Sequence, residues 1–235
     1  MIDRDIENAT ASAISNAGVG PNYYGRFSNG RVEGWMNNSR PMKRHEMKDE
    51  SFVPKIARAL SQLHTFTVPE QLVPFHSTPG LWGQLWQWFE QAKNDTIIEC
   101  KLASEDADRF NSLKTELLGD IFEKAKSELD MLQELTEAAG SPVIFCHNDA
   151  LADNILIIHE SDIMLIDFEY GGCNYRGFDI ANHWNEWAGG TQAEMNGTPE
   201  YTDFPSKEQQ VTFCEAYLSS IGEVVYHFCR HCEWS

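Results

Sequence analysis

Val143-Ile144-Phe145-Cys146-His147-Asn148-Asp149-Ala150-Leu151-Ala152-Asp153-Asn154-Ile155-Leu156-Ile157-Ile158 is the stretch whose reading decides the fold, together with Ile163-Met164-Leu165-Ile166-Asp167-Phe168-Glu169-Tyr170 just after it. Val143–Cys146, Ile155–Ile158 and Ile163–Ile166 are short apolar runs with several β-branched residues, which predicts three short buried strands. Polar loops separate them. Each loop follows an apolar run, so its acids and amides project from the end of a rigid element.

This layout suits transfer of a phosphoryl group from a nucleotide to a hydroxyl. That chemistry needs a carboxylate to orient the hydroxyl and take its proton, and hard oxygen ligands for Mg²⁺. Asp149 fits the base. Asn154, five residues on, fits a neutral metal ligand, and Asp167 the charged one. His-x-Asp, an Asn five residues after that Asp, and Asp-Phe in a following strand have the order seen in protein kinases. The blander reading is a polar loop with an Asx turn. His147 reads as structural, holding the loop through backbone hydrogen bonds, and Asp153 as solvated.

Outward from this centre, Ile6, Ala9, Ala13, Ile14 and Ala17 have helical spacing, with Gly18 as the stop. Tyr23–Phe27 and Arg31–Trp35 flank Ser28-Asn29-Gly30 and read as a β-hairpin. Alone it is marginal in water and leaves a strand edge prone to aggregation. Ile56, Ala59, Leu60 and Leu63 make a helical stripe ending near His64. Pro69, Pro74 and Pro79 mark a long connection. Trp82, Leu85, Trp86 and Phe89 share one helix face and read as core. A helix over 116–138 places Leu117, Ile121, Ala125, Leu129, Leu132 and Leu135 together. A further helix is expected from Asp179 through Trp187. After a loop over 189–204, Ser206 and Gln209 form a capping box for a helix carrying Val211, Cys214, Leu218 and Ile221.

The chain has 235 residues, 42% hydrophobic and 23% charged, ordinary globular proportions. Lys+Arg is 18 against Asp+Glu 36, a formal net charge of -18. Such a surface repels phosphate backbones and anionic lipid, which argues against nucleic-acid and peripheral membrane binding. No apolar run reaches membrane-spanning length, and the charged start lacks the core of a signal peptide. Six scattered cysteines do not form a secreted disulfide framework, so a reducing, cytoplasmic setting is expected.

Val143–Asn154, Leu165–Tyr170 and Asn174–Trp187 strongly resemble the choline/ethanolamine kinase family. Gly18-Val19-Gly20-Pro21, Phe27–Glu33 and Phe204–Gln210 through Leu218 extend the match over nearly the whole chain. The resemblance implies an α+β, protein-kinase-like fold of the choline kinase/aminoglycoside phosphotransferase type. It implies mostly the helical large lobe, with a remnant of the small lobe. Residues 1–36 would be the remnant of the nucleotide-binding lobe and hinge; residues 37–235 would be the large lobe, C-terminally incomplete.

The implied activity is phosphorylation of a small amino alcohol with ATP and Mg²⁺, feeding phosphatidylethanolamine synthesis. Carried over by motif, Asp149 is the base, Asn154 and Asp167 hold metal, and Glu169 helps organise the site. Asp179 braces the catalytic loop. Gly34, Trp35 and Met36 fall where the interlobe hinge meets adenine, and Glu7 matches the helix of the small lobe.

Choline and ethanolamine demand different pockets. A quaternary ammonium has no N–H and favours an aromatic cage, whereas a primary ammonium has three donors and needs oxygen acceptors. Asn185-Glu186-Trp187-Ala188-Gly189 resembles the ethanolamine branch. Choline kinases more often carry Cys where Asn185 stands and Tyr where Thr191 stands. Glu186 is expected to meet the substrate ammonium, with Tyr170 and Trp187 nearby; ordinary packing is the competing reading for both aromatics.

Family members carry a Gly-containing turn and a basic phosphate contact upstream of the segment matched here, and aromatic terminal helices downstream. Lys43, Lys48 and Lys55 lie beyond the hinge and do not supply the basic contact. Either the sequence is a fragment of an active kinase, or it is a short relative that has lost catalysis. Little kinase activity is therefore expected of these 235 residues alone. Competing expectations are a choline kinase and an inactive, pseudokinase-like partner module. A homodimer is left open. His227, Cys229, His231 and Cys232 raise a third class, zinc binding, although two adjacent ligands constrain tetrahedral geometry.

Overall fold

The computed structural model describes residues 3–103, 121–189, 195 and 197–222. The chain divides into two compact units, one of residues 1–78 with 143–235, the other of residues 79–142. Among the described residues no helix is long and apolar enough to cross a membrane. The C-terminal His/Cys cluster, Leu117 and Thr191 lie outside the described residues.

In the first unit, α1 (Arg4–Asn16) starts at Asp3, whose carboxylate accepts the backbone N–H groups of Asp5 and Ile6. Gly18, at φ 72°, ends the turn. Gly20 then passes so close to Ile14 and Phe168 that an added Cβ would lie 2.7 and 2.9 Å from them. Next come β1 (Tyr23–Phe27) and β2 (Gly30–Glu33), a hairpin in which Phe27 pairs with Gly30. The loop is therefore Ser28-Asn29, and the second strand ends before Gly34, two residues short of the predicted limit. The hairpin forms a two-stranded sheet of its own. Tyr24, Phe27, Val32 and Trp35 are exposed on and beside it.

The middle of this unit is a three-stranded antiparallel sheet. Its order is β3 (Ser39–Pro41), β5 (Ile155–Ile158), β6 (Asp162–Leu165). A second small sheet pairs β4 (Val143–Cys146) with β7 (Gly172–Tyr175), Cys146 opposite Gly172. Three helices complete the unit: α2 (Val53–His64), α5 (Arg176–Ala188) and α6 (Lys207–Ser220). The Ser206–Gln209 capping box forms as expected, each side chain bonding the other residue's backbone N–H.

The core joins Ile56, Leu60 and Leu63 of α2, Ile155, Ile157 and Leu165 of the sheet, and Phe213 and Tyr217 of α6. The buried face of α6 is thus Phe213 and Tyr217, whereas Val211, expected inside, is exposed. Tyr217 goes inward because its hydroxyl meets Nδ1 of His64 at 2.7 Å.

The second unit holds α3 (Gly80–Ala103) and α4 (Phe122–Ala138). Trp82 and Phe89 are buried, as their spacing predicts. The α4 stripe differs from expectation: Ile121, Leu132 and Leu135 are exposed. Contacts that α4 makes include Phe122, edge-on to Phe89, Gln133, which accepts the Trp86 indole N–H at 2.7 Å, and Lys126 over the Trp86 ring.

Candidate active site

Two loops from neighbouring strand ends are tied together by backbone. Ile166, which follows β6, donates its N–H to the carbonyl of Asn154 at 3.0 Å. Its carbonyl accepts Nε2 of His147 at 2.9 Å. A carbonyl only accepts, so Nε2 of His147 carries the proton, and the ring is a structural brace as expected. Asp167 is the next residue, held at φ 61°, a left-handed conformation that Asp tolerates better than most residues. Asp149 and Asp167 therefore stand on loops locked to each other, not on independent segments.

Asn154 is buried in a 3₁₀ turn, Ala152–Asn154. Its amide Nδ2 donates to the Asp149 carbonyl at 2.9 Å and to Asp149 Oδ2 at 3.0 Å. With the nitrogen so engaged, Oδ1 makes no hydrogen bond among the described residues and is the hard oxygen left over. Among the described residues the Asp167 carboxylate makes no hydrogen bond, and it is exposed. An amide oxygen and an unpaired carboxylate suit a hard divalent cation. Asp153, by contrast, is solvated.

Burial raises the Asp149 carboxyl above its usual range; the nearby charges of Asp167 and Glu169 add to this, against lowering by His147 and Asn154. Burial also raises Glu186, and the charge of Asp149 reinforces it. Glu186 Oε2 is buried with no hydrogen-bond partner. A buried acceptor without a donor is costly unless a ligand supplies one.

One face of α5 meets the loop at residues 147–150 residue by residue. Asp179, fully buried, accepts the backbone N–H groups of His147 at 2.8 Å and Asn148 at 2.7 Å. Asn182 donates to the Asn148 carbonyl at 3.2 Å. His183 donates through Nδ1 to the Ala150 carbonyl at 2.8 Å and accepts the Trp187 indole N–H at 3.2 Å. Burial lowers its pKa to about 4, so it is neutral. Glu186 completes the i, i+3, i+4, i+7 series. His64 adds a 2.9 Å contact to Asp179 from α2. His64, Cys146 and Asp179 are close enough together to resemble a metal cluster. Asp179 is already saturated by N–H donors, however, which explains the grouping without an ion. Of this set, sequence reading found Asp179 and Glu186 only; the polar stripe Asp179, Asn182, His183, Glu186 was the available signal for the rest.

The remaining expected residues scatter. Tyr170 is half exposed, two residues beyond Phe168. Trp187 lies in the core at 1% exposure with its N–H on His183, the packing placement. Glu169 lines a cavity of about 720 Å³ with Asp167, Arg4, Glu7, Arg26 and Arg31. Glu7 is buried there between Arg4 and Arg31. These ion pairs outweigh its burial and hold its carboxyl below the usual range. Gly34, Trp35 and Met36 connect β2 to β3, with the Gly34 N–H on the Asn22 carbonyl. None of the three lines that cavity or hydrogen-bonds to Asp149, Asn154 or Asp167.

The choline/ethanolamine kinase family model matches residues 1–226. A probable ethanolamine kinase of Arabidopsis thaliana is 32% identical over 100% of this chain and 61% of its own length. A choline/ethanolamine kinase of Rattus norvegicus is 33% identical over 94% of this chain and 53% of its own. The chain thus spans little more than half the length of these curated relatives. Among solved structures, an ethanolamine kinase of Plasmodium vivax superposes with a TM-score of 0.77 at 28% identity, over 93% of this chain and 59% of that one. Such agreement makes the fold α+β and protein-kinase-like, a mix of helices and small sheets. The chain belongs to the choline/ethanolamine kinase family.

Proposed function

We propose that this chain carries the catalytic and alcohol-binding part of an ATP- and Mg²⁺-dependent ethanolamine kinase. In the reaction, the alcohol oxygen attacks the γ-phosphorus of ATP, ADP leaves, and the alcohol proton passes to Asp149. Burial keeps that carboxylate a better proton acceptor than one in water. Asn154 Oδ1 and Asp167 would hold Mg²⁺. Held by those two residues, the ion would supply neutralisation of charge on the transferring phosphate. The cavity beside Asp167 and Glu169 offers room for the nucleotide's phosphates, with Arg4, Arg26 and Arg31 in its lining. On this reading, the part of the chain before residue 37 serves the nucleotide side.

The observation that carries the substrate assignment is Glu186 Oε2, buried and without a donor, close enough to Asp149 for their charges to interact. A primary ammonium supplies N–H donors to that oxygen and a positive charge to both carboxylates. Choline supplies only the charge. The relatives named ethanolamine kinase support the same substrate. Calorimetric titration of the chain with ethanolamine and with choline tests it. Ethanolamine should bind the more tightly, and the difference should vanish in Glu186→Gln. Equal affinity of the unaltered chain for both would contradict the assignment.

A further inference from the structure

Asn148 is joined to more of the site than any residue read from the sequence. Its Nδ2 donates to the Tyr170 carbonyl at 2.9 Å and the Gly172 carbonyl at 3.3 Å. Its Oδ1 accepts Nδ2 of Asn174 at 2.9 Å. Its backbone N–H goes to Asp179 and its carbonyl accepts from Asn182. The residue sits at φ 65°. Asn enters this region more readily than most side chains, but only glycine does so freely. A glycine would serve the backbone alone, yet the position holds an amide whose donor and acceptor are both used. Asp149 is the next residue along the chain, and the Tyr170 carbonyl ends the loop that carries Asp167 and Glu169.

We propose that Asn148 is a positioning residue: its amide clasps the 167–172 loop to the catalytic loop and thereby sets the spacing of Asp149 from Asp167. Its functional consequence rests on the kinase reading above; the clasp itself does not. Backbone links through Ile166 hold the start of the 167–172 loop, and Asn148 holds its end. Without the amide, Tyr170 and Gly172 lose a shared donor, and the end of the loop is held only where Gly172 pairs with Cys146. Groups that orient a site from behind typically change activity by about 10–100-fold when removed.

Two variants of the full 235-residue chain decide the matter. Asn148→Gly keeps the backbone conformation and deletes the amide. Asn148→Asp keeps the volume but turns carboxylate oxygen toward two carbonyls. Hydrogen exchange read by mass spectrometry should show the 167–172 segment at least about tenfold faster in both variants, with β5 and β6 unchanged. Exchange within twofold of the unaltered chain in that segment would overturn the clasp, as would equal acceleration everywhere. Where the unaltered protein transfers phosphate, kcat should fall about 10–100-fold in Asn148→Gly. The KM for the alcohol should stay within threefold, because Glu186 is untouched. An unchanged kcat alongside faster local exchange would overturn the positioning role. The rates are read on this chain joined to the upstream segment of a relative; absence of transfer there would count against the kinase reading and leave the exchange result to judge the clasp.

Discussion

The Asn154 amide nitrogen lies 3.0 Å from Oδ2 of Asp149 and 2.9 Å from the Asp149 carbonyl, so one side chain fixes both the backbone and the carboxylate of the proposed base. The same contacts leave the Asn154 oxygen without a hydrogen bond among the described residues. The proposed base and the proposed metal ligand are thus oriented by a single amide, and replacing it affects both. Asn154→Asp should keep the fold but place a second carboxylate against Asp149. Transfer should fall by about 100-fold or more as the base is displaced. Steady-state rates with circular dichroism as the folding control check this.

Asp149→Ala removes the proton acceptor while leaving the loop's backbone bonds. The expected loss in kcat is about 10²–10⁴-fold, with ethanolamine affinity little changed. Titration calorimetry and initial rates on the same preparation separate the two quantities.

The pH dependence follows from the direction of two shifts. Asp149 and Glu186 are both raised, first by burial. Each acts only when ionised, so activity should be lost as pH falls through values above those of carboxyls in water. Glu169→Gln deletes one of the charges that raise Asp149, so the acidic limb of kcat/KM should move to lower pH. A limb that stays in place would show that Glu169 does not act on Asp149.

Asp179 bears on stability. Burial alone would raise its carboxyl, but hydrogen bonds from His64 and His147 and their charges hold it below the usual range. A depressed carboxyl stabilises the fold above its unfolded pKa, and that stability is lost as pH falls through the lower, folded value. The loss should therefore come in strong acid, below the ordinary carboxylate range. Asp179→Asn should cost about 3–5 kcal/mol, since it leaves buried donors of His147, Asn148 and His64 poorly matched. Urea unfolding at neutral pH measures it.

Gly20→Ala probes packing behind the loop that carries Asp167. The new Cβ would fall 2.7 Å from Ile14 and 2.9 Å from Phe168. A cost of about 1–3 kcal/mol is expected from overpacking. Because Phe168 adjoins Asp167, the activity should drop as well; thermal unfolding and rates together show whether the strain reaches the site.

The sequence made β4 and β5 legible to the residue, since apolar runs bounded by polar loops have few alternatives. β7 was missed because Gly172-Cys173-Asn174-Tyr175 has no β-branched residue; it is a strand only because β4 offers it a partner. The α5 start was placed three residues late because Arg176 and Gly177 carry no apolar signal. The inward turn of Phe213 and Tyr217 depends on α2 and His64, which lie far away in the chain. At the proposed site, spacing singles out Asp149, Asn154 and Asp167, which lie on two loops joined by the Ile166–Asn154 backbone bond. It does not single out Asn148, Asn182 and His183, because their work is done on backbone groups of other elements.

Phosphorus NMR of MgATP with ethanolamine is the most direct test of two acids on locked loops readying an alcohol for attack. It should be run on this chain, on this chain joined to the upstream segment of a relative, and on Asp149→Ala and Asp167→Ala forms of the joined protein. Phosphoethanolamine and ADP should appear with the joined protein and vanish in both variants. Product formed equally by Asp149→Ala, or none from the joined protein, would contradict the account.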